Sequence, residues 1–192
     1  MIKIPISGGP HTGKTTLLEA LRHEFPDAYF VPEPATEVIE HELALHNSNP
    51  DYIPNVPWID YKKFGPVVGE RSVELEALIP TTARVAFQDR SLFDTIGYAR
   101  LNNCPDLVPM VQRQAKAANY AFALFCEPVG GYATTDVRRE TLAEAARTHG
   151  FLKKAYEESG IPIITLPPVS VQDRVALVSK ALQNFTNSIT ST

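Results

Sequence analysis

The chain predicts an α/β domain with a doubly wound, five-stranded parallel sheet, helices on both faces and a lid segment, and three observations carry that prediction. An apolar run, Ile2-Lys3-Ile4-Pro5-Ile6, leads straight into Gly8-Gly9-Pro10-His11-Thr12-Gly13-Lys14-Thr15, which matches the phosphate-binding pattern G-x-x-x-x-G-K-[ST]. Leu17, Leu18 and Leu21 follow at helical spacing, so strand, loop and helix come in the order that pattern requires. Beyond them, short apolar runs alternate with helical patterns, as in repeated β-α-β units.

In chain order, the candidate strands are 2–6, 28–31, 83–88, 120–125 and 162–166. Each ends in a polar or Gly/Pro-rich stretch, and open parallel sheets hold their ligands outside those carboxyl ends. Helices are expected near 14–24, 34–46, 67–78, 91–102, 106–117, 138–158 and 170–186. The segment 47–66 differs. Its Asn47-Ser48-Asn49-Pro50, Pro54, Pro57 and Gly65-Pro66 interrupt any regular element, while Tyr52, Trp58, Tyr61 and Phe64 supply aromatic surface.

With 192 residues, 44% of them hydrophobic and 21% charged, the chain has the means to bury a full core and is read as a single unit, 1–192. Within that unit, 47–66 is an insertion and about 128–140 a lid. Eighteen basic against 22 acidic residues give a net charge of -4, which argues against general attraction to nucleic acid. Two cysteines, Cys104 and Cys126, are too few for a disulfide framework and read as small buried hydrophobes of a reducing compartment. No signal peptide and no membrane-length apolar run is read, so the expected location is the cytoplasm.

The glycine-rich loop predicts a P-loop NTPase fold. Gly8 and Gly13 permit positive φ and close backbone approach, so the N–H groups of Gly8, Gly9, Pro10, His11, Thr12, Gly13, Lys14, Thr15 and Thr16, proline excepted, supply an anion nest at a helix N-terminus. Lys14 would reach the β- and γ-phosphates of ATP, and Thr15 would ligate Mg²⁺.

The second strand ends in Val31-Pro32-Glu33-Pro34, placing Glu33 over the sheet edge, where it serves either as a base for an acceptor hydroxyl or as a cap for the helix starting at Pro34. The third strand closes on Asp89-Arg90-Ser91. Asp89 stands where a Walker B acid would hold magnesium, and Arg90 where a guanidinium would clamp an acceptor or phosphate oxygen; helix capping by Asp89 or Ser91 is the alternative. Asp94 and Tyr98 share a face of the next helix. They either border the acceptor pocket or are a solvated acid and a core tyrosine. After Gly130-Gly131, the run Thr134-Thr135-Asp136-Val137-Arg138-Arg139-Glu140 reads as a phosphate-closing lid with Arg138 over the transferring group, or as an ordinary helix start.

Taken together, the glycine-rich loop, Val31-Pro32-Glu33-Pro34, Phe87-x-Asp89-Arg90 with Asp94 and Tyr98, and Asp136-x-Arg138 resemble the small AAA-domain ATPase/kinase family that contains ribosylnicotinamide kinase domains. The Glu-Pro step and Asp89-Arg90-Ser91 are also similar to those of deoxynucleoside kinases. The resemblance implies a parallel P-loop kinase core with a lid, using ATP and magnesium, with Lys14, Glu33, Asp89, Arg90 and Arg138 in catalytic roles and Thr15 and Asp89 at the metal. The deoxynucleoside kinases set their base-reading acid farther beyond the arginine than Asp94 lies beyond Arg90, so that role does not carry over.

The expected function is transfer of the ATP γ-phosphoryl group to a nucleoside-like small acceptor. An ATPase or nucleotide-dependent switch acting on a protein partner through 47–66 is the alternative, and homodimer formation stays open. No membrane partner is expected.

Overall fold

The structure, a computed structural model, describes residues 1–129 and 141–190. Five parallel strands form one sheet: β1 (Ile2–Ser7), β2 (Tyr29–Val31), β3 (Val85–Asp89), β4 (Ala123–Cys126) and β5 (Ile163–Leu166), in the order β2-β3-β1-β4-β5. Around them run α1 (Lys14–Glu24), α2 (Pro34–Ser48), α3 (Tyr61–Ala77), α4 (Leu92–Leu101), α5 (Val108–Ala118), α6 (Leu142–Glu157) and α7 (Val171–Thr190). Parallel strands need crossover connections, and helices supply most of them here.

The core explains why the strands are so apolar. Along β4 and the residue before it, Phe122, Leu124 and Cys126 face the layer of α1 and α7, where Leu17, Leu21 and Val178 are fully buried. Alternate residues Ala123 and Phe125 face the opposite layer, against Phe93 and Ile96 of α4, Val111 of α5 and Leu152 and Tyr156 of α6. A strand covered on both faces has no solvent side to leave polar. Each fully buried leucine contributes roughly 2 kcal/mol by removal from water.

Gly97 decides how closely α4 lies on α6: a Cβ there would sit 3.0 Å from Leu152 Cα and 2.8 Å from Leu152 Cδ2. That closeness matters for the site, because it brings the ends of Tyr156 and Asp94 together.

Segment 47–66 departs from the expectation at its end. Residues 61–66 begin α3, with Pro66 inside the helix. Pro66 lacks only its own N–H, and two forces override that loss: Asp60 caps the helix by accepting from Lys62 N at 3.0 Å, and Tyr61, Phe64 and Val68 bury one face against Val38 and Ala99. The aromatics of this segment divide accordingly. Tyr61 and Phe64 are buried, whereas Trp58 is 66% exposed beside Ile59 at 53% and Ile53 at 76%.

β1 is central, and the chain winds to β3 and β2 on one side and to β4 and β5 on the other. The change of direction therefore opens a crevice beyond the carboxyl end of β1, where ligands of such sheets bind. Register puts Ile6 level with Asp89 and Leu124, and Ser7 level with Phe125. Residues 8–13, 89–91 and 127–129 thus converge on one edge.

Candidate active site

The loop after β1 has the shape its glycines require. Gly8 (φ 151°) and Gly13 (φ 72°) occupy the positive-φ region, and His11 joins them at φ 61°. At Gly8 a side chain has no space: a Cβ would lie 2.7 Å from the Cys126 carbonyl oxygen. Gly13 is the left-handed N-cap of α1 and carries no side-chain cap, which leaves the first amides of that helix turned toward the crevice, a nest for an anion. The loop is braced from within by Thr12 Oγ1 donating to the Gly9 carbonyl at 2.9 Å, and by Val129 N donating to the His11 carbonyl at 3.1 Å.

Lys14, the first residue of α1, is buried and paired with the Asp89 carboxylate at the end of β3. Burial pushes the Asp89 carboxyl above its ordinary value, and the Lys14 charge opposes that without cancelling it. A carboxylate so desolvated is one that a further cation would stabilise. Thr15 follows Lys14 with its side chain exposed. A hydroxyl and a carboxylate are hard oxygen donors of the type magnesium takes, so these two residues fit that ion. Thr16 is exposed on the first turn of α1.

Arg90 sits at φ 67°, a backbone conformation disfavoured for its residue type, which turns the chain sharply from β3 into α4. The turn lays the guanidinium across the crevice. Its Nε donates to Glu33 Oε1 at 2.5 Å and its Nη1 to Asp94 Oδ1 at 3.1 Å, while Tyr98 lies 5.5 Å away by its ring centroid. Glu33 occupies the N-cap position of α2 but makes no side-chain cap bond; its second oxygen accepts from Thr36 Oγ1 at 3.0 Å. Burial acts to raise the Glu33 carboxyl, but Arg90 and then Lys14 outweigh it and hold it below its ordinary value. The capping role falls to Ser91 at the start of α4, in a box with Asp94.

Asp94 is neither solvated nor free for a ligand. At 2% exposure it accepts from Ser7 Oγ (2.6 Å), Arg90 Nη1 (3.1 Å), Ser91 N (2.8 Å) and Tyr156 Oη (2.6 Å). Its carboxylate ties β1, the Arg90 turn, α4 and α6 into one unit. Tyr98 is half-buried and lines a cavity.

That cavity, about 190 Å³ in volume, opens beside Glu33 and Arg90 between α2, α3 and α4. Its walls are largely apolar: Ala35, Ile39, Tyr61, Phe64, Val68 and Tyr98, with Asp94 and Thr95 at the base. Of the insertion 47–66, Pro57, Tyr61 and Phe64 line it, and Trp58 does not. The site thus brings together Lys14, Glu33, Asp89 and Arg90. Arg138 and the lid reading of 130–140 lie outside the described residues.

Sequence reasoning missed three residues that support the loop. Arg174, 2% exposed, donates to the carbonyls of Thr12, Glu127 (2.9 Å) and Pro167 (2.8 Å), joining the phosphate loop to the ends of β4 and β5. His149 and Tyr156 reach the site from α6. None belongs to a local motif. The faint signals were a basic residue one turn into the last helix and two polar rings seven positions apart on one helix.

Residues 3–174 match the family described as AAA domain. Among solved structures, the NadR protein in complex with NR superposes with a TM-score of 0.62 at 20% identity over 86% of this chain, a likeness of fold. This chain spans 43% of the length of that one. No curated protein sequence matches it.

Proposed function

The chain belongs to the AAA-domain family, and on that premise we propose that it is a kinase that passes the γ-phosphoryl group of ATP to a hydroxyl of a nucleoside-like small molecule held in the cavity between α2, α3 and α4. The observation that carries this reading is the position of Glu33 and Arg90: they pair with each other and line the cavity, while Arg90 Nη1 donates to the Gly8 carbonyl of the phosphate loop at 3.5 Å, beside the Lys14–Asp89 pair. A phosphate site and a separate, walled acceptor site meeting at a carboxylate are what a transferase needs and a plain hydrolase does not.

In this reading the loop amides and Lys14 hold the phosphates of ATP. Magnesium, held by Thr15 and Asp89, would neutralise charge on the transferring group. Glu33 orients the acceptor hydroxyl and takes its proton as the new O–P bond forms and the bond to the β-phosphate oxygen breaks. Arg90 offers its guanidinium to an acceptor or phosphate oxygen. The apolar walls fit a flat ring better than a charged one. Arg138, from 130–140, would close over the phosphates. Residues 1–192 are read as one unit because both helix layers pack on the same sheet.

The test is ADP release from Mg-ATP with and without a panel of nucleosides, nucleoside monophosphates and ribosylnicotinamide. A rise with one acceptor, with the phosphorylated product seen by mass spectrometry, establishes the kinase and names its substrate. Steady release with no acceptor favours the second reading, a nucleotide-dependent switch with a protein partner. The exposed Ile53, Trp58 and Ile59 support that alternative.

A further inference from the structure

The underside of the phosphate loop rests on α6. That helix begins at a Thr141–Glu144 capping box, and about two turns later it presses His149 against Gly9. The fit is close: a Cβ on Gly9 would lie 2.7 Å from His149 Cβ and 3.0 Å from its Cα. Gly9 N–H donates to His149 Nδ1 at 3.2 Å. An amide N–H only donates, so Nδ1 carries the lone pair and the imidazole proton sits on Nε2, where Glu127 Oε2 accepts at 3.2 Å. Glu127 is fixed in turn by Lys153 Nζ at 2.7 Å, and the ring stands edge-on to Phe125 at 5.0 Å.

We infer that neutral His149 is a positioning residue for nucleotide binding: by accepting the Gly9 N–H it holds the phosphate loop in its anion-binding shape, and protonation of Nδ1 releases that hold. The consequence for ATP rests on the nucleotide-binding reading above; the hydrogen bond does not. Gly9 is held at both ends, its N–H by His149 and its C=O by the Thr12 hydroxyl. A protonated ring would set Nδ1–H against the Gly9 N–H, two donors facing each other in a half-buried place. Gly8, wedged against the Cys126 carbonyl, cannot absorb the displacement, so it passes to the residues that build the nest.

Among the described residues, the charged groups facing the ring are Glu127 from the end of β4 and Lys153 from α6; Arg174 of α7 touches Glu127 only through its carbonyl. His11 and Lys14 are the titratable residues of the loop itself. Burial lowers the His149 imidazole and Lys153 adds to it, while Glu127 opposes; the balance falls below the usual 6.5.

The experiment compares Mg-ATP affinity of the wild type, His149→Asn and His149→Ala between about pH 4.5 and 8, a window that reaches well below the lowered His149 value. Asn keeps an acceptor for Gly9 but does not titrate. ATP and every side chain other than residue 149 are common to all three proteins, so the ratio of affinities isolates His149. The wild type should lose about five- to tenfold relative to His149→Asn as the pH falls, and His149→Ala should bind weaker by about that factor throughout. A wild-type to Asn ratio that stays flat with pH overturns the inference.

A second readout needs no nucleotide. ¹⁵N resonances should show an unprotonated Nδ1 near neutral pH and a Gly9 amide that shifts with the His149 titration. A protonated Nδ1 at neutral pH overturns the inference even if ATP binds. The expected ring pattern in a protein that binds no ATP sinks the nucleotide reading and the role built on it, leaving the hydrogen bond standing.

Discussion

Arg90 donates its Nε to Glu33 Oε1 at 2.5 Å across 57 residues of sequence, joining the end of β3 to the start of α2. The pair sets the protonation of the cavity mouth. Arg90 keeps Glu33 ionised, the state in which a carboxylate accepts a proton, and occupies one of its oxygens while the other, among the described residues, accepts from the exposed Thr36 hydroxyl. An acceptor hydroxyl therefore has one oxygen of Glu33 to compete for with a weak local partner.

Replacing Glu33 by Gln keeps the shape and removes the base. Phosphoryl transfer should slow by about 10²–10⁴-fold while ATP affinity changes little. Single-turnover rates beside calorimetric ATP binding read the two effects separately, and equal turnover by the variant and the parent would sink the base assignment.

The same substitution has a pH signature in stability. Glu33 has its folded pKa below the ordinary 4.5, so its ionised form stabilises the fold above that value, and the contribution fades as the pH falls through the folded pKa. The stability gap between the parent and Glu33→Gln should be widest above about pH 4.5 and should close on acidification. Chemical denaturation across that range checks the sign; a gap that grows in acid contradicts it.

Lys14→Ala removes the buried cation paired with Asp89 and the group that would meet the β- and γ-phosphates. Turnover of ATP should fall by about 10²-fold or more. Because Asp89 is then left half-buried beside Glu33 without Lys14, magnesium should raise the thermal midpoint of this variant more than that of the parent.

Asp94→Ala should destabilise the protein by about 3–5 kcal/mol, because it strands Arg90, Ser7, Tyr156 and the Ser91 amide in a buried place. Tyr156→Phe removes only one of those donors and should cost about 1 kcal/mol. Urea unfolding of both variants measures the difference, and equal losses would show that Asp94 is not the hub of the network.

Gly97→Ala tests the approach of α4 to α6. The added methyl meets Leu152 Cα at 3.0 Å, so a loss of about 1–3 kcal/mol is expected, with ATP turnover falling as Asp94 and Tyr156 are pushed apart. A variant as stable and active as the parent would mean that the helices yield freely.

The strands and helices were legible because their signals are local. The five apolar runs became the five strands with shifts of a few residues, and α1 spans 14–24 as its leucines predict. The start of α3 was not legible, since Gly65-Pro66 reads as a breaker and only contacts with Val38 and Ala99 reveal why the helix persists. Among the site residues, Lys14, Glu33, Asp89 and Arg90 stand at ends of strands or at a motif, and the fold does bring them together. Asp94 was seen on the correct face but not as the buried hub, because its partners come from β1, β3 and α6.

By itself the sequence determined the phosphate loop with Lys14, the parallel α/β architecture and the candidate groups at or just beyond the strand ends, Glu33, Asp89 and Arg90, since glycine dihedrals, hydrophobic period and strand length act over a few residues. Tertiary structure alone decided the strand order, the pairing of Glu33 with Arg90, the walls of the cavity and the support of the loop by His149 and Arg174. These depend on which distant segments are neighbours in space. The sum of many weak packing contacts fixes that choice, and no short stretch of residues spells it out.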